Sequence, residues 1–106
     1  MEDRVKEQCF LAFREALSNA LRHAGANRIL VVLRVRPEDR LTLVVIDDGI
    51  GFDTRAPFER PAGLGLGMIR ERAEGVLGCA RIRSIRGRGT QVRISVPLST
   101  EAIPCQ

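Results

Sequence analysis

Glu15, Asn19 and His23 recur four residues apart in the stretch Arg14-Glu15-Ala16-Leu17-Ser18-Asn19-Ala20-Leu21-Arg22-His23-Ala24. Four helical steps advance by about 40°, so the three side chains form one polar stripe along a helix. A carboxylate and an amide one turn apart present two hard oxygens. Such a pair suits a partly hydrated Mg²⁺ held against phosphates. Taken alone it also reads as an ordinary solvated helix face.

A second group is Asp47-Asp48-Gly49-Ile50-Gly51, placed directly after an apolar run. A carboxylate at a strand end can accept a hydrogen bond from an exocyclic amine such as that of adenine. The two glycines remove Cβ atoms and let backbone approach a flat ring. The bland alternative is a polar turn, in which Asp-Gly is common. A third group, Gly63-Leu64-Gly65-Leu66-Gly67, leads into a helical pattern. Backbone N–H groups at a glycine-rich helix start make an anion site, with phosphate the expected guest. No Gly-Lys-Ser/Thr follows, so it is not a Walker A loop; Met68 stands where a dinucleotide fingerprint needs glycine. A hinge into a helix explains it equally well. The fourth group, Gly87-Arg88-Gly89-Thr90, reads on its own as a hairpin turn.

These groups must be held by a small set of elements. Phe13, Leu17, Ala20, Leu21 and Ala24 recur at helical spacing, which predicts a helix from about Val5 to Ala24 stopped by Gly25. Ile29 to Val35 and Leu41 to Ile46 are β-branched and apolar around the turn Arg36-Pro37-Glu38-Asp39-Arg40, a hairpin pattern. Asp47 to Ala62 has no sustained period and reads as a long loop. A second helix is expected from about Leu66 to Leu77, ending at Gly78. Ala80 and Ile82 alternate with Arg81 and Arg83, and Val92, Ile94 and Val96 with Gln91, Arg93 and Ser95. These are two strands, apolar inward and basic outward, and the basic face is assigned to solvation. The fold class is α+β: a two-layer sandwich of a mainly antiparallel mixed sheet with helices on one face.

The bulk composition sets limits. With 106 residues the chain suits one domain, and 44% apolar residues argue for a packed core over disorder. Cys9, Cys79 and Cys105 are widely spaced and odd in number, which predicts reduced thiols and a cytoplasmic setting. No apolar run approaches the ~20 residues of a membrane span. The net charge is +4 and Lys6 is the only lysine. The arginines are scattered and no aromatic residues alternate with them, so neither direct nucleic-acid binding nor membrane contact is expected.

In order and spacing, the four groups resemble the four boxes of the GHKL ATPase superfamily, which includes histidine kinases, type II topoisomerases and mismatch-repair ATPases. The likeness runs from about Phe10 to Leu98. The wording Arg14 to Ala24, with Arg70-Glu71-Arg72-Ala73-Glu74 further on, is similar to the nitrate-sensor class of sensor histidine kinases, whose response regulators carry LuxR-type DNA-binding domains. Ile69, where that class often has Met, is a neutral departure. The resemblance implies a Bergerat ATP-binding fold over residues 1–98 followed by a tail, with ATP and Mg²⁺ as cofactors. It implies that Asn19 ligates Mg²⁺ and that Glu15 assists through a metal-bound water or polarises the transfer. Asp47 would bind the adenine amine, with Gly49 and Gly51 shaping its pocket and Thr90 supporting the same end. Gly63, Gly65 and Gly67, with Leu66, would flank the phosphates as part of a lid, and Arg22 and His23 would lend charge nearby. His23 lies inside the first box, so it is not the phosphorylated histidine. That residue is expected on a separate dimerisation domain of a parent kinase, itself possible as a membrane-anchored protein, with a response regulator as the next partner. Two rival functions stay open: an anti-sigma-factor-like serine kinase, and a non-catalytic nucleotide-responsive interaction domain.

Overall fold

In a computed structural model, the structure describes residues 1–55, 65–100 and 102. Six elements follow in order: α1 (Asp3–Arg22), β1 (Ile29–Arg36), β2 (Arg40–Asp47), α2 (Leu66–Glu74), β3 (Cys79–Ile85) and β4 (Gly89–Pro97). The strands make one sheet in the order β1-β2-β4-β3, and every pairing is antiparallel. The parallel component implied by a mixed sheet is therefore absent among the described strands. Both helices pack on the same side, which gives the expected two-layer α+β architecture.

α1 is turned differently from its sequence pattern. Its deepest line is Val5, Cys9, Ala12, Ala16 and Ala20, with Ala12 and Ala16 almost wholly buried. Phe13 packs beside this line, whereas Leu21 is 68% exposed. Small side chains let the helix approach the sheet closely, so the larger apolar residues are displaced to its flanks. The rotation matters for the site. Asn19 neighbours Ala16 and Ala20 on the helix surface, so it borders the sheet-facing side rather than open solvent. Asp3 in the first turn and Arg22 in the last complement the helix dipole.

Ile69 and Ala73 of α2 join Val45, Val92, Ile94 and Val96 of the sheet and the α1 line in a single core. α2 ends at Glu74, earlier than Leu77. Beyond it the bonds tighten, with Val76 N donating to Ala73 O and Leu77 N to Glu74 O. Leu77 then takes φ 63°, and Gly78 N closes back on Ala73 O. That is a helix terminus made by a left-handed residue, one position before the expected glycine.

The expectation of three reduced thiols fails at Cys79, which is disulfide-bonded, while Cys9 is free and buried. Cys105 lies outside the described residues. Spacing along the chain carries no information about which sulfurs a fold brings together. Burial pushes the Cys9 thiol up and keeps it unreactive. No helix among the described residues is long and apolar enough to cross a membrane.

Candidate functional site

A pocket open to solvent lies between α1 and the inner face of the sheet. Asn19 reaches it from α1, His23 from the cap of that helix, Asp47 from the end of β2, Gly51 from the following loop, Leu66 from the start of α2 and Thr90 from β4. Residues far apart in sequence thus meet because β2 and β4 are neighbours, with Asp47 directly opposite Thr90.

Asp47 is 7% exposed, and its Oδ1 accepts a 2.9 Å bond from Gly49 N. Among the described residues no other donor reaches this carboxylate, so Oδ2 is left to accept from whatever fills the pocket. A carboxylate oxygen that faces an open pocket can accept a hydrogen bond from an exocyclic amine. Thr90 lies beside it in a short hydroxyl chain. Ser84 Oγ is 2.8 Å from Thr90 Oγ1, lies 3.2 Å from Gly89 O and accepts from Phe52 N at 2.8 Å. When Ser84 donates to Gly89 O, Thr90 must donate to Ser84, which leaves Thr90 as an acceptor toward the pocket.

The glycines of the second group serve the protein more than the guest. A Cβ on Gly49 would stand 2.1 Å from Ala24 O, and the next residue, Ile50, donates its N–H to that same oxygen at 2.8 Å. Gly51 has φ +62° and comes as close to Ile85 O. The loop is therefore clamped between the end of α1 and the β3–β4 hairpin. Only Gly51 of the pair lines the pocket; Gly49 is buried behind it. Asp48 secures the other side: its Oδ1 accepts from Asn27 N at 2.8 Å and Arg28 N at 2.9 Å. The Arg28 amide, with help from that of Asn27 and the Arg28 charge, holds the exposed Asp48 carboxyl below its usual range.

At the opposite end, the first and third groups converge. Gly65 caps α2, and the Glu15 carboxylate packs where a Cβ at position 65 would lie, 2.7 Å from it. Glu15 thus sits at the amide-rich start of α2, beside Asn19 one turn along α1. Amide and carboxylate are hard donors. Among the described residues no three His, Cys, Asp or Glu side chains cluster as a metal cage. That composition fits Mg²⁺, which takes one or two protein ligands and fills its shell with water and phosphate oxygens.

Other expected residues stand elsewhere. Arg22 is exposed and does not line the pocket; Gly67 is exposed inside α2, with open space at its Cβ position. Gly63 lies outside the described residues. Conversely, Ala16, Ala24, Val45, Ile50, Phe52 and Val92 form apolar walls that the motifs had not marked. Phe52 follows Gly51 directly and is 6% exposed, a signal available in the Gly-Ile-Gly-Phe run. Ala24 already belongs to the apolar helical spacing of the sequence, whereas Ala16 was legible only once the rotation of α1 was known.

Comparison with known proteins agrees with this layout. Residues 5–100 match the family model described as histidine kinase-, DNA gyrase B-, and HSP90-like ATPase. An uncharacterized sensor-like histidine kinase of Chloroflexus aurantiacus is 42% identical over 100 residues, covering 92% of this chain and 17% of its own length. The sensor histidine kinase LiaS of Bacillus subtilis is 36% identical over 97 residues, covering 92% of this chain and 26% of its own. The chain thus spans about a quarter or less of these relatives. In structure, the histidine kinase domain of a blue-light activated kinase from Erythrobacter litoralis superposes with TM-score 0.73 at 28% identity, covering 92% of this chain and 46% of that one. With a family match over nearly its whole length and a fold and pocket that agree with it, the chain belongs to the histidine kinase-, DNA gyrase B- and HSP90-like ATPase family, whose domains bind ATP.

Proposed function

We propose that this domain is the ATP- and Mg²⁺-binding half of a two-component sensor histidine kinase, of the nitrate-sensor class whose regulators carry LuxR-type DNA-binding domains. The observation that carries the nucleotide reading is the Asp47 carboxylate at the pocket, with one oxygen held by Gly49 and the other met by no donor among the described residues. Asp47 and Thr90 hold the adenine edge, and the apolar walls exclude water from the ring. Asn19 and Glu15, with the amides at the start of α2, hold the triphosphate end; His23 lines the mouth on that side. When bound, Mg²⁺ supplies charge neutralisation for the transferred phosphoryl group. Phosphoryl transfer asks for positioning and electrostatics more than covalent chemistry from the protein, and these side chains meet that requirement. The γ-phosphate then goes to a histidine on a separate dimerisation domain and on to the response regulator.

The pairing of Glu15 and Asn19 with Asp47 supports catalysis over mere nucleotide sensing. Incubated alone with γ-labelled ATP, the chain is expected to bind nucleotide but to gain no stoichiometric phosphohistidine. Supplied with a dimerisation domain of a related sensor kinase, it should label that domain. Stoichiometric label on His23 would overturn the assignment of roles. Transfer to a serine of a partner protein would move the domain to the serine-kinase alternative.

A further inference from the structure

Ser84 belongs to none of the sequence motifs and does not line the nucleotide pocket, yet three contacts meet on its hydroxyl. It stands directly opposite Thr90 in the β3–β4 register, two residues on from Ile82, which packs against the core. Phe52 N donates to Ser84 Oγ at 2.8 Å, Gly89 O lies 3.2 Å away and Thr90 Oγ1 2.8 Å away. An amide N–H only donates, and a carbonyl only accepts. Ser84 has one proton, so all three contacts are hydrogen bonds in one arrangement alone. The Ser84 proton goes to Gly89 O and the Thr90 proton goes to Ser84. The main chain thus sets the direction of the relay. Among the described residues the Thr90 hydroxyl has no partner besides Ser84, and Thr90 lines the pocket, so its remaining lone pair is left to the guest.

We propose that Ser84 is a positioning residue for nucleobase selection. By drawing the Thr90 proton away from the pocket, it makes Thr90 an acceptor beside the Asp47 carboxylate. The site then selects a purine with an amino group over one with a carbonyl at the same carbon. The inference rests on the reading of Asp47 as the adenine anchor. Asp47 and Thr90 are cross-strand partners, so the two acceptors stand side by side in the pocket. An exocyclic amine brings two hydrogens to such a pair, whereas a carbonyl oxygen brings only lone pairs. Without the Ser84 hydroxyl, the Thr90 proton is free to turn toward the pocket and donate to a carbonyl. The two bases share an outline, so discrimination comes from the donor and acceptor pattern rather than from shape. The same hydroxyl ties Phe52, a wall of the pocket, to the β3–β4 hairpin.

The test compares ATP with inosine triphosphate by titration calorimetry on the chain. Inosine triphosphate carries a carbonyl in place of the amine and has the same triphosphate. The parent is expected to prefer ATP. Ser84→Ala should lower the ratio of the two affinities ~3- to 10-fold, the effect of one hydrogen bond. Ser84→Thr keeps the hydroxyl and should keep the ratio. Thr90→Val alone should lower the ratio too, and adding Ser84→Ala to it should change the ratio no further, because Ser84 acts through Thr90. A purely structural role gives another pattern: a loosened loop weakens both nucleotides alike and the ratio stays. Ser84→Ala also leaves the Phe52 amide without its acceptor, so thermal melts set a temperature at which every variant is folded. An unchanged ratio in Ser84→Ala, an equal drop in Ser84→Thr, or a further drop in the Thr90→Val background would overturn the proposal. Asp47→Asn tests the underlying reading separately. Reduced ATP affinity there, with an unmoved ratio in Ser84→Ala, rejects the role of Ser84 alone; unchanged ATP affinity rejects the adenine anchor itself.

Discussion

The two ends of the pocket are built in different ways. The end proposed for adenine is framed by backbone: Gly49 against Ala24, Gly51 against Ile85, and Gly89 so close to Asp47 that a Cβ would stand 2.0 Å from its carbonyl oxygen. The end proposed for the phosphates has side chains, Asn19 at the pocket and Glu15 beside it against Gly65, at the first turn of a nine-residue helix. Main-chain packing cannot be altered without moving strands, whereas side chains on a helix surface can adjust. A rigid recognition end and an adaptable chemical end follow, which suits a site whose guest keeps one half unchanged while the other half reacts.

The largest effect should come from the rigid end. Gly49→Ala drives a methyl group into the Ala24 carbonyl and should cost about 3 kcal/mol or more of stability, seen as a lowered melting midpoint together with lost nucleotide binding. Gly67→Ala is the counterpart at the adaptable end. It meets open space within a helix and should be neutral or stabilising by up to ~1 kcal/mol. If Gly67→Ala proved the more damaging, the contrast between the ends would be wrong.

The next effect is that of Asn19→Ala. Calorimetry with and without Mg²⁺ separates its effect: the Mg²⁺-dependent gain in ATP affinity should fall ~10-fold or more, with metal-free binding retained. Loss of both would assign Asn19 to the ring rather than to the phosphates.

The smallest effect is at Asp48. Its folded pKa lies below the unfolded value because the Arg28 and Asn27 amides bond its carboxylate. Its contribution to stability is therefore whole above the unfolded value of about 4 and is lost as pH falls through the folded value. Asp48→Asn should melt a few degrees lower than the parent at neutral pH and converge with it in acid. An unchanged difference across that range would show that the carboxylate's charge is irrelevant to the loop.

Much of this organisation was legible in the residues. The hairpins were clear because Arg36 to Arg40 and Gly87 to Gly89 interrupt alternating β-branched runs. Asp47 could be chosen because it ends such a run ahead of two glycines. The helix face was read in part: Ala20 and Ala24 are buried as their spacing suggests, but Ala12 and Ala16 share the buried line unexpectedly and Leu21 faces water, because large apolar residues suggest burial. Close helix–sheet approach is a tertiary property that periodicity does not carry. The purpose of Gly49 was hidden for the same reason: its neighbour, Ala24, is 25 positions away in sequence and is brought close only by the fold.

The central claim is that Asp47 anchors the adenine ring from an intact fold. Asp47→Asn keeps an oxygen for the Gly49 amide, so the loop should survive and the melting temperature should stay close to that of the parent. Titration calorimetry should then show ATP affinity reduced by roughly 10- to 100-fold, the loss of a charge-assisted hydrogen bond. Unchanged ATP affinity in the folded variant would contradict the account.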